Sequence, residues 1–274
     1  MLFGCEDRIL VFDNNRWETT ATPGAGFIRS FAVDSRGLVW FSGSTEIGYL
    51  LRVDGEYRVV KVYEGPLGVT SRIVLDGDRI YFTSDTGLLT WNRGHISQQP
   101  WPSDSMNPTS SAICHGKIWS GDQYGSIYEF DSGKFNKIAE SPHSNAGGVR
   151  NIVDWSLGGT LIVSSSGIFR KTGAAFVPWP TDIDSLLKGA AFLQLQAKLV
   201  FGRYLAVFVE NSGIYLLNEE GHVVESFTVG SGLADAGFEA FGEDRDGGLW
   251  VGTDTEITRI QFDAGYTEFD HELG

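Results

Sequence analysis

Residues 249–253 read Leu-Trp-Val-Gly-Thr, an apolar pair and a third apolar residue followed by small ones, and the same pattern returns six more times. The other copies are Met-Leu-Phe-Gly-Cys at 1–5, Val-Trp-Phe-Ser-Gly at 39–43, Ile-Tyr-Phe-Thr-Ser at 80–84, Ile-Trp-Ser-Gly-Asp at 118–122, Leu-Ile-Val-Ser-Ser at 161–165 and Leu-Ala-Val-Phe-Val at 205–209. Their second residues, Leu2, Trp40, Tyr81, Trp119, Ile162, Ala206 and Trp250, are spaced by 38, 41, 38, 43, 44 and 44 positions. A repeat of about 40 residues is the period of a propeller blade.

Around each copy the same units follow in order: an apolar strand ending in a turn, the motif strand, a polar loop, a third strand, a tight turn and a fourth strand. The third-to-fourth turns carry Gly55, Gly94, Gly133, Gly173, Gly221 and Gly265, with Asn14-Asn15 in the first copy. Both residue types tolerate the positive φ of tight hairpins. The motif strand is apolar almost throughout, as a strand covered on both faces must be. Its fourth position is small (Gly4, Ser42, Thr83, Gly121, Ser164, Gly252) in every copy but one, where Phe208 marks the sixth as irregular. A small residue there suits close approach between packed sheets.

These features predict an all-β fold: a seven-bladed β-propeller of four-stranded antiparallel blades, the first lacking its innermost strand. The blades fall at about 1–24, 25–65, 66–103, 104–143, 144–181, 182–230 and 231–274 of a single domain. A sandwich also spaces short strands regularly, but it does not require one local motif seven times. One helical turn is expected where Thr181 and Asp184 precede Leu186-Leu187. The seventh blade ends in a strand around residues 266–270, which gives 27 strands where 28 close a ring, and the chain reads as a piece of a longer array.

Composition agrees with the class and narrows the partners. The chain has 35 Gly, 18 Phe, 9 Tyr and 8 Trp but only 2 Met. A net charge of −14 with no Lys/Arg run disfavours nucleic acid as a partner. The longest apolar stretch, 190–209, is broken by Gln194, Gln196, Lys198 and Arg203, so this segment is expected to make no membrane contact. The N-terminus lacks the basic flank of a secretory signal. Cys5 and Cys114 lie about three blades apart, too far for a disulfide.

Residues 231–260, SGLADAGFEAFGEDRDGGLWVGTDTEITRI, resemble the propeller repeat of two-component regulators, in which an acidic residue and a Gly turn precede a Trp-centred strand and Gly-Thr. Residues 27–50 and 204–224 resemble further blades of the same sensor regions. The resemblance implies a periplasmic sensory propeller, often one of two in tandem, ahead of a membrane helix and a signalling output. A chain complete in itself would instead be expected in the cytoplasm. The resemblance implies a small-molecule or saccharide ligand and a second propeller of the same protein as partners.

In such a ring the second-to-third loops and the blade-to-blade links share one face. That face presents Glu6 and Asp7, Glu46, Asp85, Asp122 with Tyr124, Glu210, and Asp254 with Glu256. Nearer the axis, at the starts of first strands, lie Arg29, Arg72 and Arg150. Two readings stand side by side. Either the arginines hold a carboxylate, sulfate or other anion by forked hydrogen bonds, with Glu46 and Tyr124 completing the site, or each pairs with an acid and ties blades together.

No catalytic residue, cofactor or metal is expected. Residues 32–42 superficially resemble the blade motif of streptogramin lyases, seven-bladed propellers that use a converging His and Glu with a metal. Here His95, His115, His143, His222 and His271 show no metal-ligand spacing. The Gly-His and Trp-Asp marks of intracellular scaffold propellers do not recur. Asp244-Arg245-Asp246-Gly247-Gly248 lacks the further ligands of a calcium loop and reads as a hairpin turn. Pro100-Trp101-Pro102 and Pro178-Trp179-Pro180 end fourth strands, where proline blunts an exposed edge in place of a sugar-stacking platform.

Overall fold

The computed structural model describes residues 1–12, 16–68, 72–103, 106, 108–140, 148–188, 195–233, 238–253 and 255–261, with the side chains of 238 and 239 excluded. Twenty-six strands form seven antiparallel meanders in chain order. The first blade holds β1 (Leu2–Gly4), β2 (Arg8–Phe12) and β3 (Trp17–Ala21); the second β4 (Ile28–Val33), β5 (Val39–Gly43), β6 (Glu46–Val53) and β7 (Glu56–Glu64). The third holds β8 (Arg72–Asp76), β9 (Arg79–Ser84), β10 (Gly87–Asn92) and β11 (His95–Pro100); the fourth β12 (Pro108–Cys114), β13 (Lys117–Asp122), β14 (Ser126–Asp131) and β15 (Lys134–Glu140). The fifth holds β16 (Asn151–Trp155), β17 (Gly159–Ser164), β18 (Gly167–Thr172) and β19 (Ala175–Pro178). After the short helix α1 (Asp184–Leu187) the sixth holds β20 (Leu195–Val200), β21 (Tyr204–Val209), β22 (Gly213–Leu217) and β23 (Val223–Phe227), and the seventh β24 (Phe238–Glu243), β25 (Gly248–Thr253) and β26 (Ile257–Gln261).

The seven-bladed propeller is therefore present, and its first blade has three strands. β1 lies against β4 as β5 lies against β8 and β13 against β16, the second strand of one blade beside the first of the next. The strand absent from blade one is accordingly the innermost. The strand expected at 266–270, the Gly265 and Asn14-Asn15 turns, Asp254, His143 and His271 lie outside the described residues.

Backbone geometry follows the residues. Gly55, Gly94, Gly133, Gly173 and Gly221 all have positive φ, and Asp54, Arg93 and Ser132, each preceding one of them, do too. Two successive positive-φ residues match the twist of the strands they join. The helical turn forms as expected: the Thr181 hydroxyl donates to Asp184 Oδ1 at 2.7 Å.

The core is not one body. It is divided into clusters that each lie between consecutive blades: Ile9, Val11, Phe41 and Leu50 between one and two; Trp40, Ile47, Ile80 and Phe82 between two and three; Val74, Tyr81, Trp101 and Ile118 between three and four. The series continues with Trp119, Ile127, Ile162 and Phe169, with Trp155, Leu161, Val163 and Leu205, and with Ala206, Phe208, Leu249 and Val251. Successive residues of a strand point to opposite faces, so Trp40 serves one junction and Phe41 the other. Each such side chain contributes about 1.5–3 kcal/mol when removed from water.

The small motif residues work as expected at two places. A Cβ on Gly4 would stand 2.7 Å from Ile28 Cβ, and one on Gly121 would stand 2.4 Å from Val149 Cγ1, both atoms of the next blade's inner wall. At Gly252 the nearest described atom is Ala240 O of its own sheet, 3.7 Å away. Among the described residues no inner strand of blade one stands beside Gly252.

Blades seven and one meet instead through rings. Trp250 lies edge-on to Phe3 with centroids 5.8 Å apart and 5.6 Å from Phe12, and Trp17 covers both phenylalanines at 5.6 and 4.8 Å. Trp250 is itself pinned. Asp244, at the head of the hairpin, accepts Trp250 Nε1–H at 2.7 Å, the backbone N–H of Asp246 and Gly248, and Arg259 Nε–H at 2.7 Å. The same device recurs in blade two, where Asp34 accepts from Arg36, the Leu38 N–H and Trp40 Nε1 at 3.1 Å. The run Asp244–Gly248 is thus a hairpin turn whose first carboxylate is occupied by protein donors.

The Arg259 hydrogen bond holds the Asp244 carboxyl well below its ordinary value of 3.8, against the opposing effect of burial. Its folded pKa is depressed, so its contribution to stability is present above about pH 4 and lost as pH falls further. In urea unfolding, Asp244→Asn should lower the midpoint at pH 7 yet show a shallower loss between about pH 4 and pH 2 than the parent chain. Trp250→Ala should cost about 3–5 kcal/mol in the same assay. Trp17→Ala, at a half-exposed ring, should cost clearly less.

Candidate functional site

Strand direction places the second-to-third loops and the blade-to-blade links on one face, and Arg29, Arg72 and Arg150 at the mouth of the channel there. Arg72 opens β8, Arg29 is the second residue of β4, and Arg150 immediately precedes β16. Arg29 sits at a register shift: Ile28 pairs with Gly43 and Ser30 with Ser42, leaving Arg29 as the extra residue. Such a bulge re-aims the side chain it carries. Blade four has the same irregularity at Thr109.

The three guanidinium groups act on one another. Burial, and after it the charge of Arg29, lowers the pKa of Arg72. Burial, and after it the charge of Arg72, lowers that of Arg150 to about 10. Like charges are thus gathered in a partly desolvated place, a costly arrangement unless something opposes it.

The arginines differ in what they touch. Arg150 Nε donates to the Leu195 carbonyl at 2.7 Å, across to blade six. That is the blade-tying role, performed here through a backbone carbonyl. Arg29 lies 5.0 Å from the centroid of the exposed Phe27 ring. Among the described residues no carboxylate forms an ion pair with Arg29 or Arg72.

The acids of this face are largely committed elsewhere. Glu46 is buried, ion-pairs with Lys61 of β7 and is covered by Gly24. The expectation that Glu46 completes the arginine site meets this engagement with an outer strand. Asp122 is buried and caps its own loop, accepting the N–H of Tyr124 at 2.9 Å and of Ser126 at 2.8 Å. Burial raises its pKa against those bonds. Tyr124 is held by that cap with its ring 55% exposed. Asp7 pairs with Arg8 at 2.7 Å.

Blade-to-blade ties invisible in the sequence surround the channel. The Ile73 N–H donates to Ser30 Oγ at 3.2 Å, Ile152 N–H to Ser110 Oγ at 2.9 Å, and Ala197 N–H to Asn151 Oδ1 at 2.9 Å. In each case a side chain of one innermost strand accepts from the backbone of the next.

Other singled-out residues fall away from the mouth. His95, His115 and His222 lie at first-to-second or third-to-fourth turns, on the opposite face. His115 Nε2 meets Thr160 Oγ1 at 3.3 Å, and His222 Nδ1 meets Asp182 at 3.3 Å. Pro100 and Pro178 end their strands as expected, but Trp101 and Trp179 are buried. Trp101 donates to the Ser84 carbonyl at 2.8 Å and packs on Phe135 of blade four, so the tryptophans are keys between blades and not edge caps. Cys114 is buried and its thiol is pushed up to about 12 by desolvation. Among the described residues no three His, Cys, Asp or Glu side chains are grouped to hold a metal ion, and no helix is long and apolar enough to cross a membrane.

Residues 232–255, which include the Asp244–Trp250 pin, match the family described as Two component regulator propeller. The chain carries that family's repeat. No curated protein matches the sequence. Among solved structures, the extracellular domain assigned to a hybrid two component system of B. thetaiotaomicron superposes with a TM-score of 0.73 at 14% identity, over 96% of this chain and 37% of that one. The WD40 propeller domain of Doa1 gives 0.68 at 16% identity over 96% and 89% of the two chains. Virginiamycin B lyase from Staphylococcus aureus gives 0.65 at 16% identity over 97% and 89%. At these identities the likeness is one of fold. The chain spans little more than a third of that extracellular domain of the hybrid two component system.

If the arginines repel one another, removing one should not destabilise the ring. Arg72→Gln should leave the melting temperature unchanged or raise it, whereas Arg150→Gln, which loses the bond to Leu195, should lower it. Differential scanning calorimetry of the two variants reads the contrast directly.

Proposed function

We propose that this propeller is a non-catalytic recognition module of a two-component-type signalling protein, taking a small anionic ligand, an acidic saccharide included, at the channel mouth formed by Arg29, Arg72 and Arg150. One observation carries the reading: mutually repelling guanidinium groups converge on a ring of net charge −14, and two of them have no carboxylate partner among the described residues. An anion bridging them would relieve the repulsion, and planar forks suit carboxylate or sulfate oxygens. The exposed Phe27 beside Arg29 and the exposed Tyr124 ring offer apolar faces at the rim.

The repeat family and the extracellular neighbour support a sensor outside the cytoplasm, in the periplasm, with the signal passed to other parts of a larger protein, a second propeller among them. Recognition is favoured over lyase chemistry because the described histidines sit on the face opposite the arginines.

Isothermal titration at low ionic strength with sulfate, glucuronate and glucose tests the site. Glucuronate and sulfate should bind and glucose should not. The double variant Arg29→Gln/Arg72→Gln should weaken binding at least tenfold, about 1.4 kcal/mol or more, while keeping the parent melting temperature. Equal binding by the double variant, or a melting temperature well below the parent's, would overturn the reading.

A further inference from the structure

Phe208 stands where the other copies of the motif carry Gly, Ser or Thr. Its ring is buried at the junction with blade seven, against Leu233 and Val251. Above these three side chains the structure has a cleft of about 170 Å³, walled by the loop Asn211-Ser212-Gly213 on one side and by the link from Thr228 through Gly230 to Leu233 on the other, with Thr253 at its end. It opens on the same face as the arginine mouth, and none of the three arginines lines it.

The walls are built, not loose. The Thr228 N–H donates to Ser231 Oγ at 2.7 Å, while the N–H of Ser231 and of Leu233 return to the Thr228 carbonyl at 3.0 and 3.1 Å. These bonds close a 3-10 turn over Val229–Ser231, and Gly232 leaves it at φ 110°. Opposite, Asn211 is held at φ 61°. Its carboxamide and the Ser212 hydroxyl make no hydrogen bond to the described protein, so a donor and acceptor set is unspent at the lip. Among the described residues no charged side chain lines the cleft. An apolar floor with a few convergent neutral polar groups is the usual make-up of a small-molecule site.

We infer that the cleft between blades six and seven is a second binding site, separate from the arginine mouth, for a small neutral group with an apolar body and one hydroxyl or amide. The floor of Phe208, Leu233 and Val251 takes the body, and Asn211 and Ser212 take the polar end. A carboxylate is disfavoured, because among the described lining residues there is no cation to offset its desolvation.

Benzyl alcohol is a suitable probe, with benzoate as its charged counterpart, both followed by ligand-observed saturation-transfer NMR on the folded chain. Gly230 is the place to block the cleft: its φ is not positive, and a Cβ there would meet nothing closer than Thr228 Oγ1 at 3.6 Å. Benzyl alcohol should give a saturable signal at least fivefold stronger than benzoate. Gly230→Leu should abolish it at an unchanged melting temperature. Asn211→Gly, which keeps the positive φ, should weaken it severalfold. Arg29→Gln/Arg72→Gln should leave it intact. The proposal fails if the signal is not saturable, if it survives both Gly230→Leu and Asn211→Gly, or if it vanishes with the arginines, which would assign the probe to the channel mouth.

Discussion

The structure depends on the burial, on both faces, of the second strand in the blades that follow the first. A single blade has no core of its own. Trp40 and Phe41, adjacent in β5, are each completely covered, but by different neighbours. Folding one blade alone would leave half of this surface in water, so stability comes from the junctions and a blade is held by its two neighbours. The first strands add polar registration to this apolar stacking: Ser30, Ser110 and Asn151 each accept one backbone N–H from the next inner strand. The arginines then occupy the ends of those same strands, so the candidate site inherits its geometry from the packing.

How far the sequence carried this account depended on the range of the interactions. Local features were legible: the Gly turns, the helical turn with its Thr181–Asp184 hydrogen bond and the Asp244 hairpin are set within a few residues of chain. The close approaches at Gly4 and Gly121 were also legible, because a motif repeated seven times makes one small position conspicuous. What could not be read were the fates of side chains whose partners lie on another strand, well beyond the neighbouring turn. Trp101 and Trp179 looked like edge residues beside their prolines, yet the neighbouring blade supplies a pocket for each. Glu46 sat in an acidic series along the face, but Lys61 draws it toward the outer strands. Phe208 was visible as an exception, whereas the cleft above it needed the link from blade six to blade seven in place.

The Asp–Trp pin explains why an acidic residue, a Gly turn and a tryptophan travel together in this repeat. The carboxylate organises the hairpin through two backbone N–H groups and, with its second oxygen, fixes the indole six residues on. In blade four the hairpin has no such acid, and Trp119 Nε1 turns to Glu129 of β14 at 3.2 Å. Trp155, at the end of blade five's first strand, is buried with no partner for its Nε1 among the described residues. The repeat thus tolerates several answers to one requirement, that an indole at a blade junction be oriented, and the two blades that keep the full pin present their tryptophans to aromatic neighbours.

The join between blades seven and one has a thermal character of its own. Elsewhere consecutive blades share a buried cluster of aliphatic and aromatic side chains, and several also share a hydrogen bond donated by a backbone N–H. Here, among the described residues, the two ends of the ring are held by the rings of Phe3, Phe12, Trp17 and Trp250. Apolar association weakens as water is cooled, whereas backbone hydrogen bonds do not share that dependence. Cooling therefore acts unevenly on this disc, loosening one radius while the meanders on either side keep their pairing. Among the described residues, a ring closed in this way has a preferred place to part, where the three-stranded first blade meets the seventh.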